Sequence, residues 1–216
     1  FGITGPALDV SAGCTGFIYA LEVARAMITT GSMKNALVVG AEKLSGVVDW
    51  NDRNTCVLFG DGAGCALLES SGQEESGLID TLLKAEAAGT KALTIHPEKH
   101  AIEMDGRAVY SFAVRTIGDT ILALVERNNL NMESIDWIVP HQANRRIIQA
   151  CSKRYGIPEE KFYMNIDRFA NTSAASIPLA LREMDRAGLL KKGQRILLVG
   201  FGAGLTYGGT LLTWTY

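Results

Sequence analysis

The spacing of apolar positions divides the chain into alternating short strands and helices. Ala7–Val10 reads as a short strand running into the Ser11-Ala12-Gly13 turn. From Cys14 the period changes: Phe17, Ala20, Leu21, Ala24 and Ile28 recur at helical spacing with few charges between them. A buried helix is expected there, stopped at Gly31. Ala36–Val39 is an apolar run of strand length and predicts a buried strand, followed by a polar loop over 41–55. Thr55–Phe59 and Cys65–Glu69 flank Gly60-Asp61-Gly62-Ala63-Gly64 and read as two strands around a tight turn. Residues 70–77 read as a polar connector, Leu78–Ala87 fits strand or helix, and 89–106 reads as an exposed excursion.

The second half is more regular. Val109, Phe112, Ala113, Thr116, Ile117, Ile121, Leu124 and Val125 mark an amphipathic helix. Ile135–Val139 predicts a strand ending at Pro140-His141, followed by a helix to about Tyr155 with Ile147, Ile148 and Cys151 inward. Thr172–Ala187 reads as a helix that tolerates Pro178. Arg195–Gly200 and Tyr207–Tyr216 read as strands joined by a glycine turn. Strands alternating with helices favour an α/β fold. Each half repeats helix, apolar strand, glycine turn, strand, a faint internal repeat.

The composition fits this picture. The chain has 216 residues, 47% hydrophobic and 20% charged, which suits a globular chain with a sizeable core and excludes disorder, collagen and coiled coil. The 21 basic and 23 acidic side chains leave a net charge of −2, so neither nucleic acid nor an anionic membrane is expected as a partner. No apolar run is long enough to span a bilayer. The four cysteines, 14, 56, 65 and 151, form no C-x-x-C, which disfavours zinc ribbons and redox pairs; a reducing cytoplasm is the simpler location. Asn171-Thr172-Ser173 matches a glycosylation sequon without an accompanying signal peptide and is discounted. The opening at Phe1 suggests a missing N-terminal piece.

Several residues could carry chemistry. Cys14, between Gly13 and Gly16 at a strand-to-helix junction, suits either a nucleophile or a buried structural cysteine. A helix N-terminus there would favour thiolate. His141 directly follows an apolar strand, where sites gather in α/β folds, or is a satisfied loop residue. Asn171 could donate to a developing oxyanion or simply cap a helix. His96 and His100 in H-P-E-K-H read as a solvated loop rather than a zinc helix, and no metal site is expected. The glycine clusters at 60–64 and 200–204 lack a third Rossmann glycine and no Walker G-K-[ST] occurs, so they are assigned to tight turns. Gly202-Ala203-Gly204 could also offer backbone N–H groups to a reacting oxygen. Arg145, Arg146, Lys153 and Arg154 share one helix, either a solvated face or a site for an anionic partner.

Together these segments match a family. Val10-Ser11-Ala12-Gly13-Cys14, Leu58-Phe59-Gly60-Asp61-Gly62-Ala63-Gly64, His141-Gln142-Ala143-Asn144, Asn171-Thr172-Ser173-Ala174-Ala175-Ser176 and Gly200-Phe201-Gly202-Ala203-Gly204 closely resemble the 3-oxoacyl-[acyl-carrier-protein] synthase III family, end to end and in order. The resemblance implies a thiolase-like layered fold of two related halves, with the N-terminal half incomplete. Residues 1–90 would be the remainder of that half and 91–216 the whole C-terminal half. An incomplete sheet would expose an apolar edge.

The resemblance further implies an initiating condensing enzyme of bacterial fatty acid synthesis. It would join acetyl- or another short acyl-coenzyme A to malonyl-acyl carrier protein through an acyl-Cys14 intermediate, with no cofactor. His141 and Asn171 would donate to the enolate oxygen, and the backbone N–H groups of Cys14 and Ala203 would form the oxyanion hole. Arg53, Gly106 and Asn144 would bind coenzyme A and its pantetheine arm. Phe59 and Phe201 would line the acyl and malonyl pocket, and Arg146, Lys153 and Arg154 would meet the acyl carrier protein. Ser111 stands where the family often has lysine, a departure in the carrier-protein contacts. A homodimer in the cytoplasm is implied. The alternatives are a secondary-metabolism acyltransferase of the same fold and an inactive fragment.

Overall fold

The structure, a computed structural model, describes residues 2, 4–70 and 77–216. The expected connector over 70–77 lies outside the described residues except at its two ends. A strand at Arg195–Gly202 (β7) forms the centre of the fold. Ile196, Leu197, Leu198 and Val199 are all fully buried. Successive strand residues face opposite sides, so a continuous apolar run requires cover on both faces. β7 runs parallel to Trp137–Pro140 (β6) and antiparallel to Thr206–Thr213 (β8). β8 in turn pairs with Gly77–Ala85 (β3), giving the order β3-β8-β7-β6. The ambiguous segment Leu78–Ala87 is therefore a strand. It precedes the expected division at 90/91, yet its ladder bonds go to the C-terminal sheet.

Each face of this sheet has its own core. On one side lie two helices, Gly106–Arg127 (α2) and Arg145–Tyr155 (α3), which pack Ile117, Ile121, Leu124, Ile147 and Cys151 against Leu197 and Val199. α2 starts where Asp105 accepts hydrogen bonds from the N–H groups of Arg107 and Ala108, both at 3.0 Å, a side-chain cap. It is long and apolar enough to cross a membrane, but its apolar residues are mostly buried in this core. On the other side, Gly16–Thr29 (α1) and Ser176–Arg186 (α5) bury Phe17, Ile18, Leu21, Ile177, Ala180 and Met184 against Ile196 and Leu198. Pro178 sits in the first turn of α5, where its missing N–H leaves no ladder bond unmade.

Beyond α1 and α5 lies a second sheet, Asn35–Glu42 (β1) antiparallel to Gly62–Glu69 (β2). Helix, sheet, helix and sheet are thus stacked in layers. The short helix Ile166–Phe169 (α4) leads toward Asn171, and Leu93–His96 (β4) pairs with Ala101–Met104 (β5). That hairpin is less exposed than its sequence suggested, because Ile102 is buried. His96 is the last residue of β4 and His100 lies in the turn that follows, so neither is on a helix.

Three sequence expectations are corrected. β1 is buried on one face only: Val38 points into the core, while Leu37 and Val39 are about half exposed beside Leu67 of β2. Ala7–Val10 forms no strand, since its backbone meets no ladder partner among the described residues. Thr55–Leu58 is a turn, and Phe59 makes only an isolated bridge to Asn171. The glycines after it begin β2 rather than a hairpin. A Cβ at Gly62 would lie 3.0 Å from Leu179 and Thr172, and one at Gly64 would lie 3.0 Å from Pro178. These glycines let β2 lie against α5.

Candidate active site

Three chain reversals at the ends of buried elements converge on one cavity of about 360 Å³. Cys14, His141 and Asn171 all line it, with Phe59, Phe201, Gly202, Gly106 and Asn144. Cys14 lies in a single 3-10 turn, Gly13–Thr15, that runs into α1. The turn is held against the end of β7. A Cβ on Gly202 would stand 2.7 Å from the Cys14 N and 2.9 Å from its Cβ, so only glycine allows this approach. Gly13, at φ +54°, has room for a Cβ only 3.2 Å from the Ala203 N. The Cys14 and Ala203 N–H groups make no turn or cap hydrogen bond to backbone among the described residues. Ala203 itself does not line the cavity, but its neighbour Gly202 does.

Burial works against the thiolate that a helix N-terminus would favour. Burial pushes the Cys14 thiol up to about 11. The Ser173 hydroxyl beside it acts in the opposite direction, and the Glu42 carboxylate adds to the rise. Removing the group from water outweighs one short helical turn, because desolvation disfavours the charged form. His141 responds in kind: burial pushes its imidazole down to about 3. Burial thus disfavours the charged form of both groups.

His141 directly follows β6, and its N–H donates to the Val199 carbonyl at 2.7 Å. Its ring meets Phe201 edge-on, with centroids 5.4 Å apart, and its Nδ1 lies 2.7 Å from the Ser176 Oγ. Gln142 fastens the loop behind it. Its Nε2 donates to the Pro140 and Tyr163 carbonyls, and its Oε1 accepts from the Asn165 N–H.

Asn171 is fixed by its own backbone. Its N–H donates to the Leu58 carbonyl and its carbonyl accepts from the Gly60 N–H, both at 2.9 Å. Its side-chain Oδ1 accepts from the Ser173 N–H at 2.9 Å, so the amide orientation is set and its NH2 group is the free end. That bond closes an Asx turn and is not a helix cap, since the N-cap residues Thr172 and Ala175 make no side-chain cap bond, and it leaves the nitrogen for the cavity. Ala170 (φ +58°) and Ser173 (φ +50°) flank this residue in a region costly for side-chain-bearing residues.

The remaining candidates divide by position. Gly106 lines the cavity at the start of α2, and a Cβ there would touch nothing closer than Met104 at 3.9 Å. Asn144 lines it too and also caps α3, accepting from the Arg146 N–H. Arg53 is exposed at the rim, between the lining residues Asp52 and Asn54, and does not itself line the cavity. Arg146, Lys153 and Arg154 are exposed on α3, with the Arg154 guanidinium over the Tyr155 ring at 5.5 Å. Tyr110, Met104 and Leu93 were not singled out from sequence, yet they line the cavity. Tyr110 follows Gly106 by one helical turn, which is the signal that would have found it.

Two family models match the chain. Residues 8–87 match the model for 3-oxoacyl-[acyl-carrier-protein (ACP)] synthase III, and residues 125–214 match the model for its C-terminal part. The beta-ketoacyl-[acyl-carrier-protein] synthase III of Clostridium acetobutylicum is 47% identical over 96% of this chain and 67% of the relative. The chain belongs to the 3-oxoacyl-[acyl-carrier-protein] synthase III family. The family member of Oceanobacillus iheyensis is 49% identical, over 96% of this chain and 66% of its own length. The chain thus spans about two thirds of the curated relatives it matches. The crystal structure of the Aquifex aeolicus family member superposes with a TM-score of 0.94 at 44% identity, covering 98% of this chain and 68% of that one. The priming beta-ketosynthase of the R1128 polyketide pathway gives a TM-score of 0.88 at 34% identity, covering 97% and 66%. The thiolase-like layered α/β fold implied by the sequence is the fold of the family.

Proposed function

We propose that this chain carries the reacting centre of the condensation that initiates fatty acid synthesis, joining a short acyl group from coenzyme A to malonyl-acyl carrier protein. The observation behind this reading is the cavity shared by Cys14, His141 and Asn171. The Cys14 sulfur attacks the acyl thioester, its proton leaves with the coenzyme A thiol, and an acyl-enzyme remains. Malonyl thioester then enters. Its C–C bond to the carboxylate breaks, carbon dioxide departs, and the electron pair moves onto the thioester oxygen. N–H donors on His141 and Asn171 stabilise that enolate. The enolate carbon attacks the acyl carbonyl, and the Cys14 and Ala203 N–H groups receive the developing oxyanion. Collapse expels the Cys14 thiolate, which recovers a proton.

The neutral imidazole suits this role. A donor, not a charge, is required, and burial keeps the ring uncharged. In the same reading Gly106 and Asn144 leave passage for the pantetheine arm, Arg53 stacks on adenine at the rim, and Phe59 and Phe201 contact the acyl and malonyl groups. Arg146, Lys153 and Arg154 offer the exposed basic face to an acidic carrier protein. The substrates suffice without a cofactor. The location is the cytoplasm and the assembly a homodimer through the N-terminal half.

The test is acylation of the protein by radiolabelled acetyl-coenzyme A. Label is expected on Cys14. Cys14→Ala is expected to abolish labelling and lower condensation by about 10⁴- to 10⁶-fold, the scale for loss of a covalent nucleophile. Full condensing activity in that variant would overturn the assignment. The likeness to the R1128 priming ketosynthase supports a second reading, a secondary-metabolism acyltransferase, which a panel of acyl-coenzyme A donors with product analysis separates from the first.

A further inference from the structure

We propose that Ser176 is a positioning residue for His141, fixing the imidazole as the tautomer that carries its proton on Nε2, toward the cavity. The inference deepens the reading above and rests on it for its catalytic consequence, though not for its structural content.

The argument is a count of donors around one oxygen. Ser176 is the first residue of α5 and is buried, at 2% exposure. Its Oγ lies 2.7 Å from the His141 Nδ1 and 3.3 Å from the Gln142 backbone nitrogen. A backbone N–H can only donate, so the hydroxyl oxygen accepts from Gln142. The hydroxyl proton then needs an acceptor. Among the described residues the only one within hydrogen-bond distance of Oγ is the Nδ1 of His141. If Nδ1 held the proton instead, the serine oxygen would accept twice and its own proton would be buried without a partner. The arrangement that satisfies every group places the proton on Oγ, the acceptor lone pair on Nδ1 and the second ring proton on Nε2.

Nε2 is not sealed off, since it is absent from the buried side-chain atoms that lack a partner among the described residues. His141 lines the cavity. The Nε2–H is therefore the free donor, as the NH2 end of Asn171 is on the opposite side of the same motif. Each donor is aimed by a hydrogen bond to its other end, and both supports come from residues 173–176. A neutral ring makes the tautomer decisive, because an imidazolium would donate from both nitrogens whatever its partner. The burial that holds His141 down to about 3 removes that option.

The direct test is ¹⁵N–¹H correlation spectroscopy of the His141 ring in the unmodified protein. Nδ1 is expected to be the unprotonated, acceptor nitrogen and Nε2 the protonated one. A protonated Nδ1 would overturn the proposal, whatever the protein catalyses. In Ser176→Ala the ring is expected to show a mixture of tautomers. Decarboxylation of malonyl thioester should fall about 10- to 100-fold in kcat, the scale known for losing the partner that orients a metal-ligating histidine, with KM little changed. Acylation of Cys14 should persist. Ser176→Thr, which keeps the hydroxyl, should restore both tautomer and rate. An unmixed tautomer and unchanged kcat in folded Ser176→Ala would also overturn the proposal. If Cys14→Ala were active but the wild-type ring showed the expected tautomer, the catalytic reading would fail and the positioning of His141 would stand.

Discussion

Cys14 and Cys151 share a perturbed thiol but not a fate. Burial pushes Cys14 up to about 11 and Cys151 up to about 12. Cys151 is fully buried on the inner face of α3, among Ile117, Ile147, Ile148 and Leu197. Cys14 is half-buried and faces the cavity from a turn held by the close approach of Gly202. A raised thiol therefore marks loss of water in both places and a reacting position in only one. Access, together with donors on neighbouring elements, makes the difference.

The sharpest way to break this comparison is alkylation by iodoacetamide, followed peptide by peptide so that Cys56 and Cys65 are read separately. Cys14 is expected to react in the folded protein, and Cys151 only after unfolding. The gap should be several orders of magnitude, because buried thiols in apolar surroundings are inert. Only thiolate reacts, so Cys14 labelling should rise about tenfold per pH unit and continue rising toward pH 11. A plateau near pH 8 would show that the helical turn, not desolvation, governs this thiol.

The sequence made the two cysteines distinguishable to a degree. Apolar spacing on α3 put Cys151 inward, and the small residues around Cys14 marked an opening. The layered α/β architecture was legible because β7 and α2 have unambiguous periods. The outer sheet was not. Ala36–Val39 carries no signal to separate a strand buried on two faces from one with Leu37 and Val39 exposed, since a continuous apolar run permits both. The glycines of β2 look like turn residues in sequence, which cannot show that Leu179 and Pro178 lie against them. The same holds for the site. Cys14, His141 and Asn171 were legible as motifs, whereas the Ser176 contact to His141 spans 35 residues and appears only once α5 is docked. Local helix geometry, which favours thiolate, is visible in sequence, whereas the desolvation that raises the thiol is not.

A smaller effect tests the docking of Cys14 itself. In Gly202→Ala the new Cβ would fall 2.7 Å from the Cys14 nitrogen and 2.9 Å from its Cβ, both backbone-near atoms that cannot swing away. Either β7 or the 13–15 turn must move. A displacement approaching 1 Å typically costs about 100-fold in rate. Acylation of Cys14 is expected to slow by that order while Cys151 remains unlabelled. Unchanged acylation would mean that the nucleophile's position is not set by this contact.

The smallest expected effect compares the two sites by stability alone. Serine is nearly the size of cysteine but needs hydrogen bonds. Cys151→Ser places a hydroxyl in the apolar cluster of Ile117, Ile147 and Leu197, close enough to Asp119 and Arg154 to feel their charges. An unsatisfied buried hydroxyl costs about 1–3 kcal/mol, but a serine inside a helix can bond back to the carbonyl four residues earlier, here Ile147. The loss should thus lie near the lower end, about 1 kcal/mol, read as a fall in the urea midpoint at constant slope. Cys14→Ser puts the same hydroxyl at a partly buried, cavity-facing position beside Ser173, and its midpoint should stay within about 0.5 kcal/mol of wild type. Removing the thiols also separates them at high pH. A thiol held up by folding keeps its proton in the native state while the unfolded chain loses it above about pH 9, so native stability declines as pH rises toward the folded value. Cys151→Ser removes the larger and later of these two declines, and Cys14→Ser the smaller. Equal flattening of the alkaline limb in both variants would mean that the two thiols occupy equivalent environments.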